Sequence, residues 1–223
     1  MPDNNRPELE LIVSADGSHT LYVPALDEHY HSVNGAINES LHVFIQAGLK
    51  HCKKKNVSIL EIGLGTGLNV LMTALNQEDR VINYHALEKY PIKGALVKQL
   101  NFGSNEAESH LLQKIHALPW QNNEILKPNF HLLKDEVDLN DVKLEAGYDL
   151  VYFDAFAPEK QGDMWNETIF QKIYDAMNPR GILTTYCAKG VVRRTMQDCG
   201  FTVERIPGPK GKREMLRATK PNG

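Results

Sequence analysis

Four carboxylates and three glycines carry the chemical signal in this chain. Glu61, Gly63, Gly65 and Gly67 fall in the stretch from Val57 to Gly67, while Glu88, Asp135 and Asp154 each close a later apolar run. Glycines at alternate positions let the backbone turn tightly, and let a ligand approach the main chain where a Cβ would collide. The spacing is G-x-G-x-G, not the G-x-G-x-x-G of a dinucleotide site. A carboxylate two residues ahead of the first glycine gains little beside a pyrophosphate. It suits a cation, and a sulfonium with an amino-acid tail is one. Glu88 lies about 20 residues beyond the turn, where an acid accepts hydrogen bonds from both hydroxyls of a ribose. Asp135 is read as an acceptor for an adenine amino group, with a plain turn aspartate as the competing reading. Asp154 follows the run Tyr148 to Phe153, and Phe156 and Pro158 after it do not open a helix directly. It therefore reads as a carboxylate delivered to a crevice.

Such residues need a scaffold that gathers strand ends. Val57, Ile59, Leu60 and Ile62 form a short apolar run suited to a buried parallel strand, and Leu68 to Leu75 follow at helical spacing. Val81 to Leu87, Phe130 to Leu133, Tyr148 to Phe153 and Gly181 to Tyr186 predict further strands, with helices over 166–177 and 191–199. Phe201 to Ile206 and Glu214 to Ala218 predict a closing pair around a Pro/Gly-rich turn. The expectation is an α/β fold with a Rossmann-like sheet of seven strands. Ahead of it, residues 8–23 alternate around a turn and predict a β-hairpin. Ile37, Leu41, Phe44, Ile45 and Leu49 fall on one face of a helix. Residues 1–50 are thus expected to form an extension packed on a core domain, 51–223. Residues 91–128 read as an irregular helical insertion, either shaping a substrate face or adding a layer.

Composition narrows the function. At 223 residues and 42% hydrophobic content the chain suits one domain with an appendage, and a net charge of −3 argues against a globally basic nucleic-acid binder. Charge is uneven, however: from Lys189 onward there are nine basic residues and three acids. Arg193, Arg194, Lys212 and Arg213 are the candidate phosphate contacts, a solvated tail being the alternative. The three cysteines have no paired spacing, which argues against a disulfide scaffold or zinc knuckle and for a reducing cytosol. His29 and His31 lack a nearby third ligand, so no metal is expected. Residues 1–10 hold no apolar signal core, and no run approaches about 18 apolar residues, so a cytoplasmic protein free of the membrane is expected.

The glycine turn resembles the first motif of class I methyltransferases that use S-adenosyl-L-methionine. A larger set is more specific: Asn34 to Phe44, the glycine turn, Glu88 to Pro91, Asp154 to Pro158 with Asp163 to Trp165, Gly190 to Arg194, Cys199 to Phe201, and Lys212 to Met215. Over nearly the whole chain this set resembles the methyltransferase half of the bifunctional MnmC family and its stand-alone form, MnmD. The resemblance implies a class I methyltransferase fold with S-adenosyl-L-methionine as cofactor. It implies methylation of the aminomethyl group on the wobble uridine of certain tRNAs, through contact with the anticodon stem-loop. It also implies that Glu61, Gly63, Gly65, Glu88 and Asp135 hold the cofactor, with Gly67 in the same turn. Tyr30 and residues 34–39 would close over it, and Asp154 would sit at the reacting amine. Phe156 and Trp165 are candidates to stack on a flipped uracil, with ordinary loop packing as the alternative. The flavin domain of MnmC has no room in this length, so methyl transfer alone, by a monomer, is expected. Relatives often carry a hydroxyl residue at Cys187, which is left out of the site.

Three rivals remain. A polyamine N-methyltransferase or aminopropyltransferase would share the sheet and the acid after the fourth strand, but needs no basic C-terminal surface. Uridine C5-methylation needs a cysteine nucleophile in the crevice, and neither Cys187 nor Cys199 follows that strand. A non-catalytic RNA-binding module has no use for Glu61, Glu88 and Asp154 at successive strand ends.

Overall fold

The apolar run that ends in the glycine turn is the centre of the main sheet. β4 (Asn56–Ile62) pairs in parallel with β5 (Val81–Glu88) on one side and with β8 (Tyr148–Phe153) on the other. The structure, a computed structural model, describes residues 7–222; the polar start of the chain, residues 1–6, lies outside them. Parallel pairing continues outward through β7 (Phe130–Glu136) beside β5 and β9 (Met177–Thr185) beside β8. β10 (Thr202–Pro207) and β11 (Glu214–Thr219) form an antiparallel hairpin whose second strand pairs with β9.

An eighth strand, β6 (Asn123–Lys127), pairs antiparallel with β7 and gives the order β10-β11-β9-β8-β4-β5-β7-β6. The expected seven strands are therefore eight. β6 falls inside the stretch expected to be irregular and helical. It is five residues long, bulged between Ile125 and Lys127, and leaves Ile125 exposed on the sheet edge. Neither an apolar run nor a clean alternation marks such a strand.

Both faces of the sheet are covered, which is why β8 is apolar almost throughout. On one face, α1 (Ala36–Ser40) runs directly into a π-helical stretch, Leu41–Leu49. Phe44, Ile45 and Leu49 of that stretch share a core with Ile59, Tyr84 and Tyr152 of the sheet, and α2 (Leu68–Leu75) adds Val70 and Leu71. Gly48 lets the helix approach closely, since a Cβ there would stand 3.1 Å from the Tyr152 ring. α3 (Gly94–Val97) and α4 (Glu106–Ala117) extend this layer. On the other face, α5 (Glu167–Ala176) and α6 (Gly190–Asp198) pack Phe170, Ile173 and Met196 against Leu60, Val151 and Phe153.

The N-terminal hairpin, β1 (Glu10–Val13) with β2 (His19–Val23), is joined by a short third strand, β3 (Glu28–His29), in a separate antiparallel sheet. That sheet delivers Tyr30 and His31 to the end of the main sheet where the glycine turn lies. No described helix is long and apolar enough to cross a membrane.

Candidate functional site

A cavity of about 460 Å³ opens beyond the carboxyl ends of β4, β5 and β8. The glycine turn, Glu88 and Asp154 line it together with Tyr30, His31, Asp138 and Phe156. At its glycine positions the turn leaves no room for a side chain. Gly63 has φ +89°, and a Cβ there would come within 2.9 Å of the Asp154 carbonyl oxygen. Gly65 has φ +48°, and its Cβ would press within 2.8 Å of the Tyr30 ring. Gly67 does not line the cavity; it starts α2 in the left-handed region.

Two histidines brace the turn. His31 Nε2 and the Thr66 hydroxyl lie 2.6 Å apart, and His116 Nε2 donates to the Thr66 carbonyl at 2.9 Å. Burial holds both imidazoles down to about 4, so each is neutral near pH 7.

The carboxylates of the site have different surroundings. Glu88 is clamped by two backbone N–H groups: Gly65 donates to one oxygen at 2.9 Å and Tyr90 to the other at 2.7 Å. Each oxygen keeps a lone pair for a further donor, as a pair of ribose hydroxyls would require. Burial raises its pKa, against the pull of those N–H groups. Asp154 Oδ2 accepts from Asn69 Nδ2 at 2.9 Å, and the Ser40 hydroxyl fixes that amide by donating to Asn69 Oδ1 at 2.6 Å. Burial pushes the Asp154 carboxyl up to about 7, and the nearby charge of Glu39 adds to the effect. Glu61 is fully buried, and neither of its oxygens has a hydrogen-bond partner. Asn69 and Tyr84 are polar neighbours that do not reach it in hydrogen-bond geometry. Burial, with the charges of Asp154 and Glu88, holds its carboxyl well above the usual range.

This donor set fits a cationic nucleoside with an amino-acid tail. The glycine cradle leaves room, the clamped Glu88 suits a ribose, and Glu61, which does not itself line the cavity, places two unpartnered carboxyl oxygens behind the turn.

Several expected residues lie elsewhere. β7 runs three residues beyond its expected end, and Asp135 falls on the sheet face away from the cavity. There it pairs with His85 Nε2 at 2.9 Å, and His85 Nδ1 lies 2.6 Å from the Tyr148 hydroxyl, at the wall of a separate cavity. The assignment of Asp135 to the adenine end is thus corrected. Asp138 lines the main cavity instead, brought in by the bond from Val137 N–H to the Glu88 carbonyl and paired with Lys89 at 2.7 Å. Trp165 is also corrected. It is 6% exposed, packs on Phe153 and donates from its indole to the Phe156 carbonyl at 2.7 Å, so it supports the loop and cannot stack on a base. Phe156 does line the cavity, edge-on to Tyr30.

Lys212 is not a free cation: its ammonium pairs with Glu39 at 2.8 Å and lies 3.9 Å from the Tyr186 ring centre. Arg194 and Arg213 are exposed and Arg193 is half-buried. All three stand at the cavity end of the sheet, because α6 begins there and the β10–β11 turn returns there. Cys187 and Cys199 are buried and free, and neither lines the cavity. His29 packs against Tyr22, and among the described residues no group of three or more His, Cys, Asp or Glu side chains is placed to hold a metal ion. Asn69 and Asp138 escaped the sequence reading. Asn69 carried a signal, a polar residue in the otherwise apolar first turn of α2.

The sequence profile of a family described as S-adenosyl-L-methionine-dependent methyltransferase matches residues 104–221, more than half of the chain. The chain belongs to that family. S-adenosyl-L-methionine is its cofactor. Relatives include the tRNA 5-methylaminomethyl-2-thiouridine biosynthesis bifunctional protein MnmC of Cupriavidus necator, 32% identical over 94% of this chain and 34% of that protein. The protein of the same name from Burkholderia multivorans is 30% identical over 97% of this chain and 35% of its own length. This methyltransferase chain therefore spans about a third of the curated relatives it matches. Its fold is that of MNMC2 from Aquifex aeolicus, with a TM-score of 0.78 and 24% identity over 99% of this chain and 73% of that one. Spermidine synthase from Thermotoga maritima shares the fold more distantly, with a TM-score of 0.61 and 11% identity over 99% of this chain and 71% of that one.

Proposed function

We propose that this methyltransferase transfers a methyl group from S-adenosyl-L-methionine to the aminomethyl amine of 5-aminomethyl-(2-thio)uridine at the tRNA wobble position. The observation that carries the reading is Asp154. It is a carboxylate at the end of β8 that lines the cavity beside the glycine turn and is fixed through one oxygen by Asn69. The relatives are biosynthetic proteins for 5-methylaminomethyl-2-thiouridine in tRNA, which supports the substrate.

The cofactor supplies an electrophilic methyl group when bound. Glu88 is suited to hold its ribose and Asp138 its adenine end, with Tyr30 closing the cradle over Gly65; Glu61, buried behind the turn and outside the cavity lining, would act on its amino-acid ammonium through charge. The acceptor must present a neutral amine with its lone pair aimed at that methyl, whereas an alkylamine titrates near about 10. Asn69 occupies Asp154 Oδ2, so Oδ1 is left to accept an N–H of the amine and aim its lone pair. With its acidity near 7, Asp154 also receives the proton that the ammonium must lose. That transfer is uphill by roughly 4 kcal/mol from a pKa near 10, so proximity and alignment carry most of the acceleration. Phe156 offers a ring face to the uracil.

In this reading the enzyme works in the cytoplasm as a monomer on the anticodon stem-loop. Residues 1–50 are an extension packed on the 51–223 unit, supported by the burial of Phe44 and Leu49 in the core of the sheet. The test is transfer of labelled methyl to tRNA bearing an aminomethyl wobble uridine, with carboxymethylaminomethyl tRNA and putrescine in parallel. Label on the aminomethyl tRNA alone is expected. Label on putrescine alone would make it a small-amine enzyme.

A further inference from the structure

Asp154 itself lines the cavity; the next residue, Ala155, is bonded through its carbonyl to Tyr186, which together with Lys212 and Glu39 lies outside the cavity lining. Lys212 comes from the turn between β10 and β11, 173 residues along the chain from Glu39. Its ammonium sits 2.8 Å from Glu39 Oε1 and 3.9 Å from the Tyr186 ring centre, and its charge acts on Asp154. This primary ammonium on a methylene, held by the Glu39 carboxyl and the Tyr186 ring, has the same head group as an aminomethyl substituent.

The walls around that ammonium are held by other groups. Glu39 Oε2 accepts from the Ser32 N–H at 2.8 Å, and the Tyr186 hydroxyl donates to the Ala155 carbonyl at 2.8 Å. Asp154 is held by Asn69, as described above. Withdrawing Lys212 would therefore leave an aromatic face and the Glu39 carboxyl in place, with no cation between them. An aromatic face and a buried carboxylate are what an alkylammonium needs on leaving water. Lys212 has a path out of this position: its side chain is one-third exposed on a four-carbon stem that can swing to solvent without moving the walls.

We propose that Lys212 occupies a pre-formed subsite for the acceptor's primary ammonium, built from the Tyr186 ring and Glu39 next to the segment that carries Asp154, and leaves it when the acceptor enters. This rests on the function proposed above and names the residues that select an amine. Glu39 and Tyr186 are positioning and specificity residues, and Lys212 is the internal stand-in for the substrate.

The experiment uses the full-length Lys212→Ala protein, labelled with 15N and shown to be folded and to bind S-adenosyl-L-methionine. Ethylammonium chloride is titrated at constant ionic strength, with ethanol as the neutral control. Saturable shifts of the amides of Glu39, Ala155 and Tyr186 are expected. Binding should be at least tenfold weaker in the wild type, where Lys212 competes, and in Lys212→Ala combined with Glu39→Gln. Should the alanine variant fail to fold, Lys212→Ser serves in its place. No saturable shift in the folded variant overturns the proposal, as does equal binding by the wild type or by the double variant. The methyl-transfer assay separates the two readings. Methylated aminomethyl tRNA without ethylammonium binding would remove the subsite and leave the function. Ethylammonium binding without tRNA methylation would leave a subsite for a different amine.

Discussion

Asp154 and Glu61 lie close together, yet burial prepares them for different tasks. Asp154, the residue proposed to meet the acceptor, has only Oδ2 bonded and its acidity pushed up to about 7, so its carboxylate form is lost as pH falls below neutrality. The pH profile of kcat/KM should therefore show an acid limb near 7 that disappears in Asp154→Asn, leaving only the rise belonging to the substrate amine. Turnover in that variant should fall by about 10²- to 10⁴-fold while cofactor affinity changes little; an unchanged rate would remove Asp154 from the chemistry. Glu61 has a different test. Its carboxyl is held well above the usual range because it is buried without a partner. In the proposed reading the cofactor's ammonium acts on this carboxyl and favours its charged form, so cofactor binding should release a proton. Calorimetry in buffers of different ionisation enthalpy measures that release, and Glu61→Gln should abolish it with weaker binding. Equal release from wild type and variant would assign the proton to another group.

The glycine turn is an element whose shape depends on its neighbours. Thr66 at its centre is held from one side by His31 and from the other by His116. Both imidazoles stay neutral down to about 4, while an unfolded histidine titrates near 6.5. Between those values the unfolded chain binds protons that the folded one refuses. The stability present above pH 6.5 is thus lost as pH falls toward 4, by roughly 3 kcal/mol per histidine. The buried carboxylates act oppositely, costing stability as pH rises through their raised pKa values, so the comparison must be made against a variant. His31→Asn should be less stable than wild type at pH 7 and show a flatter fall in urea-unfolding free energy from pH 6.5 to 4. A slope equal to the wild type's would place the proton uptake elsewhere.

At the scale of the whole molecule, the sheet gathers charge of both signs at one end. Glu88, Asp138 and Asp154 line the cavity, whereas Arg194 and Arg213 stand exposed on α6 and on the β10–β11 turn at the same end. A polyanion can therefore be gripped beside the carboxylates without meeting them directly, although the net charge is −3. Arg194→Ala with Arg213→Ala should weaken tRNA binding and reduce the slope of log K against log salt by about 1.5 to 2. An unchanged slope would put the phosphate contacts on another face.

How much of this was legible beforehand depended on the range of the interactions. β4, the glycine turn and α2 could be read directly, because strand burial and left-handed backbone leave their mark within about a dozen residues. The tips at Glu88 and Asp154 were legible for the same reason, since an acid ending an apolar run has only the sheet edge to occupy. Asp135 was misplaced because the face of a strand residue depends on where the strand stops, and pairing with β5 carries β7 on to Glu136. Trp165 was misread because exposure is a property of the surroundings, here Phe153 and the Phe156 carbonyl. β6 escaped because an edge strand buries too little to pattern its sequence. By itself the sequence determined the sheet's central strands, the turn and the carboxylates at the strand tips, all set by local backbone preference and burial. Only the tertiary structure decided that Asn69 holds Asp154, that Asp138 rather than Asp135 reaches the cavity, and that Lys212 crosses 173 residues to Glu39, because those contacts exist only once distant segments pack.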